Sequence, residues 1–150
     1  MPIPDLNSHG LLPAGVHSCT WQQARTRFAY NPHRRQVLKG LCKFVRAELQ
    51  PLNLPAPLYL DGSYVRSKPF PADVDVVLDL SAFDLAAAAP ALALWFEHDR
   101  IKQQYFVDFW PKHPQIPNDL TAFFQYLGDK AASELGLARN WPKGILRIDP

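Results

Sequence analysis

Three aspartates in this sequence stand in segments that otherwise have the composition of buried strands. Asp73 and Asp75 belong to the stretch DVDVVLDL, and Asp108 belongs to the stretch YFVDFW. Because side chains alternate along a strand, Asp73 and Asp75 would share one face while the valines beside them point to the other. Burying unpaired carboxylates costs several kcal/mol each unless a cation compensates, so these positions predict a cation site.

The oxygen ligands indicate which cation this site would take. Mg²⁺ and Mn²⁺ prefer carboxylates, water and substrate phosphates over an all-protein cage. Asp108, on a separate predicted strand, would supply a third carboxylate. Three carboxylates would let two ions lie about 3.5–4 Å apart and clamp the attacking and leaving oxygens of a displacement. We therefore expect Mg²⁺ or Mn²⁺ as the cofactor.

Gly62 and Ser63 follow a short predicted strand and could form the phosphate-binding half of the site. Glycine permits close approach to the backbone, and a helix beginning just after it would direct free N–H groups at a triphosphate. Arg66 and Lys68 lie in the same loop and could neutralise phosphates, although basic loop residues are more often solvated. The Gly-Ser pair alone would be only a turn; its spacing to Asp73 gives it weight.

The aspartates also have an ordinary explanation. Asp73 and Asp75 could be strand-edge residues if the strand begins only at Val74, and a lone Asp108 could end an edge strand. Asp79 lies too far along the strand to share the same metal pair, at about 3.3 Å per residue. We expect Asp79 to end the strand or to cap a helix.

The rest of the sequence mixes helical and strand patterns. Helices are predicted from Trp21 to before Asn31, from Pro32 to about Gln50, from Pro90 to about Lys102 and onward from Pro117, with strands at 58–60, 73–80, 105–110 and 144–148. This mixture predicts an α/β or α+β fold, a small mixed sheet flanked by helices. Residues 1–19 have no hydrophobic period and are predicted to be an extended arm lying on a single domain, 1–150.

Composition limits the class of protein. With 150 residues and 47% hydrophobic content, the chain can close one core. Cys19 and Cys42 have neither zinc-ligand nor disulfide-framework spacing, which favours a reduced setting. Since no apolar segment approaches the roughly 20 residues that span a bilayer, we expect a cytoplasmic protein without a membrane partner.

The predicted second helix has a basic side. This side consists of Arg34, Arg35, Lys39, Lys43 and Arg46. The formal net charge of +2 is too small to indicate nucleic-acid binding by itself. Such a side is usually solvated, although an RNA or tRNA acceptor could use it.

The sequence around these residues resembles the DNA polymerase β-like nucleotidyltransferase superfamily. The motif reads L-D-G-S-Y-V-R-S-K-P-F-P-A-D-V-D-V-V-L, with nine residues between Ser63 and Asp73, followed further on by V-D-F-W. The wider chain looks like a small, largely uncharacterised bacterial and phage subfamily, through IPDLNSHGLLPAG, RF-x-x-NPHRR and PKGILRI. One departure is Asp61, where an apolar or aromatic residue is usual; it would be harmless if it pointed away.

The resemblance implies a role for each motif residue. Gly62 and Ser63 would bind the β- and γ-phosphates of a nucleoside triphosphate such as ATP. Asp73, Asp75 and Asp108 would hold the metals, and Asp108 could help to activate the acceptor hydroxyl. The implied reaction transfers a nucleoside monophosphate to an RNA or protein hydroxyl and releases pyrophosphate.

Two other classes of function remain open at this stage. One is a non-catalytic nucleotide sensor or antitoxin-like module, and the other is an interaction protein whose arm docks on a partner. Small members of the superfamily often act in toxin–antitoxin or phage-defence systems, which implies a partner protein encoded nearby. That last expectation is an analogy at the level of the fold.

Overall fold

The computed structural model describes residues 2–117 and 119–150, which form a five-stranded mixed sheet with helices packed on it. The strands are β1 (Gly15–Ser18), β2 (Leu58–Asp61), β3 (Val74–Asp79), β4 (Val107–Lys112) and β5 (Gly144–Ile148). The helices are α1 (Trp21–Phe28), α2 (Pro32–Phe44), α3 (Leu85–Leu94), α4 (His98–Tyr105), α5 (Leu120–Phe123) and α6 (Gly128–Leu135). The predicted fold class is confirmed.

The sheet has the strand order β1-β5-β2-β3-β4. The pairs β1/β5 and β3/β4 are parallel, whereas β5/β2 and β2/β3 are antiparallel. The end of β2 therefore lies beside the beginning of β3, and the beginning of β4 lies beside that of β3. One edge of the sheet thus gathers residues from three strands that are distant in sequence.

One face of the sheet carries the main core. On α2, the residues Val37, Leu38, Leu41 and Phe44 are buried at helical spacing and pack with the valines and leucines of the strands. Asn31 caps this helix, because its side-chain oxygen accepts a hydrogen bond from the next turn. Helix α2 thus packs against β3 and β4 on the face of the sheet that carries the main core.

The opposite face is only partly apolar. Its smaller cluster consists of Tyr59, Val77 and Ile145, against which Trp110, Leu120 and Phe124 pack. Strand alternation gives this face the carboxylates near the ends of β2, β3 and β4. The candidate site therefore lies on the face away from the main core.

Three boundaries differ from the predicted ones, and at two of them a proline is tolerated where it was expected to begin or end an element. The third helix begins at Leu85, since Asp84 caps it, so Pro90 lies inside α3. Pro90 and the residue four positions earlier are exposed, which leaves water to satisfy the freed carbonyl. Pro111 lies within β4, where an edge strand does not need its N–H. Tyr105 ends α4, so the predicted 105–110 strand starts at Val107.

The remaining predictions fall close to the structure. The helix expected from Pro117 begins at Leu120, and residue 118 lies outside the described residues. Within the predicted arm, residues 15–18 form strand β1, and Leu11 and Leu12 are buried. Within residues 2–117 and 119–150, no helix is long and apolar enough to cross a lipid bilayer.

Candidate functional site

Carboxylates from three adjacent strands lie side by side at one edge of the sheet. Asp61 pairs with Asp75 across β2 and β3, and Asp75 pairs with Asp108 across β3 and β4. Asp73 precedes β3 and lies two residues from Asp75, on the same side by strand alternation. The structure thus brings together the three aspartates that the sequence predicts, and it adds Asp61.

Gly62 and Ser63 lie within a single 3-10 turn, Gly62–Val65, and do not precede a longer helix as predicted. Gly62 has φ +74°, a left-handed conformation that favours glycine. A Cβ added to Gly62 would overlap the carboxylate of Asp75. The glycine is therefore required here for two reasons: its backbone conformation, and the close approach of Asp75 to the turn.

Asp61 pairs with Asp75 across β2 and β3, so the departure from the superfamily pattern at this position places a further carboxyl group beside the site. Asp61 is completely buried, and neither of its carboxylate oxygens has a hydrogen-bond partner among the described residues. Burial raises the pKa of Asp61 well above its usual range, and the charges of Asp75 and Asp108 raise it further. A buried carboxylate without donors is costly to the fold, so its presence calls for a functional explanation.

The carboxylates of Asp61, Asp73, Asp75 and Asp108 form an acidic row along one edge of the sheet. Asp75 lies between the others in this row. Burial, followed by the charges of Asp108 and Asp73, raises the pKa of Asp75 to about 8. Carboxylates that repel one another in this way would all ionise readily around a divalent cation. The donor type and the concentration of charge therefore suit Mg²⁺ or Mn²⁺, and Asp73, Asp75 and Asp108 would hold the ion only if their carboxylates moved closer together.

A lysine partly neutralises the row. The Nζ atom of Lys102, on α4, lies 3.3 Å from Oδ2 of Asp73 and 3.9 Å from Oδ2 of Asp108. The charges of Asp73 and then Asp108 raise the pKa of Lys102. Among the described residues, no group of three or more His, Cys, Asp or Glu side chains is gathered closely enough to hold a metal ion. The ammonium of Lys102 bridges two of the carboxylates.

Arg66 and Lys68 lie at the site as predicted, but both are paired with an acid. Arg66 forms an ion pair with Glu134 of α6, and the Nζ atom of Lys68 lies 3.4 Å from the same carboxylate. The hydrogen bond from Arg66 holds the pKa of Glu134 below its usual value. These contacts join the loop after β2 to α6 and reduce the positive charge that the two residues present to a phosphate.

Arg34 shapes the loop that follows β2, and it is not part of a solvated basic side. It is fully buried, whereas Arg35 beside it is exposed. Its guanidinium donates hydrogen bonds of 2.6–3.4 Å to the carbonyls of Phe28, Ser63, Tyr64, Arg66 and Lys68. The guanidinium also lies over the rings of Tyr30 and Tyr64, 4.8 Å from each centroid.

The loop after β2 and the strand-edge aspartates line a cavity of about 300 Å³. Gly62, Ser63, Arg66, Lys68, Asp73, Asp75 and Asp108 all line it, so each predicted site residue contributes to one space. Lys102 and Lys143 line it as well, and α5 and α6 supply its other wall. Burial lowers the pKa of Lys143, while the charges of Asp61 and Asp75 raise it.

Sequence reasoning missed Lys102 and Lys143 as site residues, and it considered Asp61 only as a possible disturbance. A lysine within PKGILRI has no motif of its own, and the strand pairing that brings it near Asp61 cannot be read from spacing. One signal was available. Asp61 ends the apolar strand LYLD directly before Gly62, so a charge at that point had to lie beside the glycine turn.

The comparison with known families gives one match. A family model for DUF6932, a family of unknown function, matches residues 4–149. The chain belongs to this family. No curated protein and no solved structure matches the chain. The geometry of the site must therefore carry any functional conclusion.

Proposed function

We propose that this chain is a metal-dependent nucleotidyltransferase. The observation that carries the proposal is the in-register pairing of Asp75 with Asp108, with Asp75 lying against the Gly62 turn. A cation held by these carboxylates would lie within the same cavity as a triphosphate bound at Gly62 and Ser63. The motif spacing from Ser63 to Asp73 supports the same assignment.

The reaction we propose is in-line transfer of a nucleoside monophosphate. The acceptor oxygen forms a bond to the α-phosphorus, the bond from that phosphorus to the bridging oxygen breaks, and pyrophosphate leaves with the bonding electrons. Asp108 would accept the proton of the acceptor hydroxyl, while Gly62 and Ser63 orient the β- and γ-phosphates. A divalent ion, when bound, would supply charge stabilisation at the phosphoryl oxygens.

A nucleotide sensor or antitoxin-like module is the second candidate. The ion pairs of Lys102 with Asp73 and Asp108 favour it, because they neutralise the carboxylates without any added cation. In such a module the cavity would bind a nucleotide without turnover. The arm at residues 1–19 or the exposed side of α2 would then meet the partner protein.

The acceptor and the setting are also proposals. The acceptor would be an RNA or tRNA end or a protein hydroxyl. Arg35, Lys39 and Lys43 on α2 and Arg46 just after it are exposed, which supports an RNA. We propose a cytoplasmic toxin–antitoxin or phage-defence role. The free thiols Cys19 and Cys42 suit a reducing compartment.

Labelled nucleotides test the proposal. The protein is incubated with α-³²P-labelled ATP, GTP, CTP or UTP, Mg²⁺ and a cell extract, and compared with Asp73→Ala/Asp75→Ala and with the exposed control Asp129→Ala. We expect wild type and Asp129→Ala to label a macromolecule, and the double variant and EDTA-treated samples to label none. If wild type labels no macromolecule, or labels it no better than the double variant does, the proposed transferase activity is contradicted. Thermal stabilisation by Mg²⁺ and nucleotide without labelling would instead support the sensor.

A further inference from the structure

Lys143 is a buried lysine at the floor of the candidate cavity. It directly precedes β5, only 5% of it is exposed to solvent, and it lines the cavity together with Gly62 and Asp75. Lysine is almost never buried unless a partner compensates its charge. Its position therefore demands either a structural counter-ion or a ligand.

Lys143 differs from the other cations of the cavity in its partners. Arg66 and Lys68 share Glu134, and Lys102 lies between two aspartates. Across residues 2–117 and 119–150, the ammonium of Lys143 makes no hydrogen bond and no ion pair within 4.0 Å. Asp61 and Asp75 influence Lys143 by their charge from beyond that distance. Lys143 thus lines the cavity without a side-chain partner among the described residues.

We propose that Lys143 is the phosphate-binding cation of this site, donating hydrogen bonds to the non-bridging oxygens of the bound pyrophosphoryl group. This inference rests on the proposed function, and it names a contact that the Gly62 motif alone does not provide. An ammonium suits this role because it is a compact point charge that can donate to several phosphate oxygens. Arg66 and Lys68 are less suited, since binding phosphate would compete with Glu134.

Asp61 is a second buried ionisable residue near the cavity, next to Gly62 in the chain. Its unpartnered carboxylate is fully buried and acts electrostatically on Lys143. Asp61 is not among the residues that line the cavity, so any effect it has on a bound phosphate would pass through its neighbours.

A purely structural role for Lys143 makes a different prediction. If it merely offsets Asp61, then replacing both residues by neutral ones would restore stability and leave phosphate binding intact. If it binds phosphate, the neutral pair Asp61→Asn/Lys143→Met would fold and still bind phosphate poorly. The double variant therefore separates the two roles even where Lys143→Met alone fails to fold.

The test is isothermal titration of the full chain with inorganic pyrophosphate in Mg²⁺. Losing a charge-assisted hydrogen bond should weaken binding by about tenfold or more in Lys143→Met and in the double variant. The control Arg139→Met removes an exposed cation outside the cavity and should bind within about threefold of wild type. Wild-type affinity in a folded double variant, or no pyrophosphate binding by wild type, would overturn the proposal.

The outcome is independent of turnover. Pyrophosphate binding that depends on Lys143 in a protein that transfers no label would uphold the phosphate site and remove the transferase. If the protein transfers label but binds pyrophosphate equally well without Lys143, the transferase proposal stands and the phosphate-binding role of Lys143 is contradicted.

Discussion

Arg34 and Asp61 are both completely buried charges, and their surroundings are opposite. Arg34 donates to carbonyls of the segments before α2 and after β2, and it lies between two tyrosine rings. Asp61 is one of the carboxylates in the row and has no hydrogen bond among the residues described. The first charge is compensated by the fold itself, and the second is not.

The difference separates a residue that builds the site from residues that the site uses. A buried charge with complete hydrogen bonding stabilises one arrangement of the loop, here the turn at Gly62–Val65. A buried charge without partners costs stability, and such costs concentrate where a ligand supplies the missing interaction. The loop should therefore tolerate little change, and the acidic row should gain stability when it is neutralised.

The largest effect is expected from Arg34→Met. It would leave several buried carbonyls without donors, so we expect a loss of roughly 3–5 kcal/mol and a fall in Tm of about 10 °C or more. The matched control is Arg35→Met at the adjacent exposed position, which should change Tm by no more than about 2 °C. Differential scanning calorimetry measures both. Equal Tm values for the two variants would contradict the assigned role of Arg34.

Gly62→Ala should have an intermediate effect. The substitution adds left-handed strain and drives a methyl group into the Asp75 carboxylate, so a loss of about 2–3 kcal/mol is expected. Gly136→Ala is the control, because Gly136 has φ +67° and open space around it. Chemical denaturation should show a loss of only about 1 kcal/mol there. Similar losses at both glycines would mean that Asp75 does not pack against the turn.

Neutralising the acidic row should have a smaller effect of opposite sign. With its pKa near 8, folded Asp75 keeps a proton that the unfolded chain releases at about pH 4, so stability falls as pH rises between these values. Without divalent ions, Asp75→Asn should raise Tm by about 3–6 °C at pH 8 and by little near pH 4.

Asp61→Asn should shift Tm in the same direction, while the exposed Asp129→Asn should leave it unchanged at both pH values. The measurement is differential scanning fluorimetry in EDTA. A lower Tm for Asp75→Asn at pH 8 would show that the ionised carboxylate stabilises the fold.

Sequence reasoning was strongest where charge interrupted an apolar strand. Asp75 and Asp108 could be predicted to lie together because a carboxylate in a valine- or aromatic-rich strand is anomalous. Asp61 and Lys143 could not be assigned, since their proximity depends on the antiparallel pairing of β2 with β3 and β5. Arg34 was misjudged because helical spacing gives a residue's face but not the loop that covers it.

The fold shows the same limit at its prolines. The mixed sheet and most of its elements follow from the hydrophobic pattern. Pro90 was taken as a helix start, although Asp84 caps the helix six residues earlier. Pro111 was taken as a strand end, and it is tolerated because β4 is the edge of the sheet. Edge position is a property of the whole sheet and cannot be derived from the strand alone.

The most direct test of the central claim is binding of Mn²⁺ in the presence of ATP, followed by electron paramagnetic resonance. We expect wild type and Asp129→Asn to bind the ion equally, and Asp75→Asn/Asp108→Asn to bind it at least about tenfold more weakly while remaining folded. Equal affinity for Mn²⁺ in the folded double variant would contradict the assignment of this acidic row as a metal and nucleotide site.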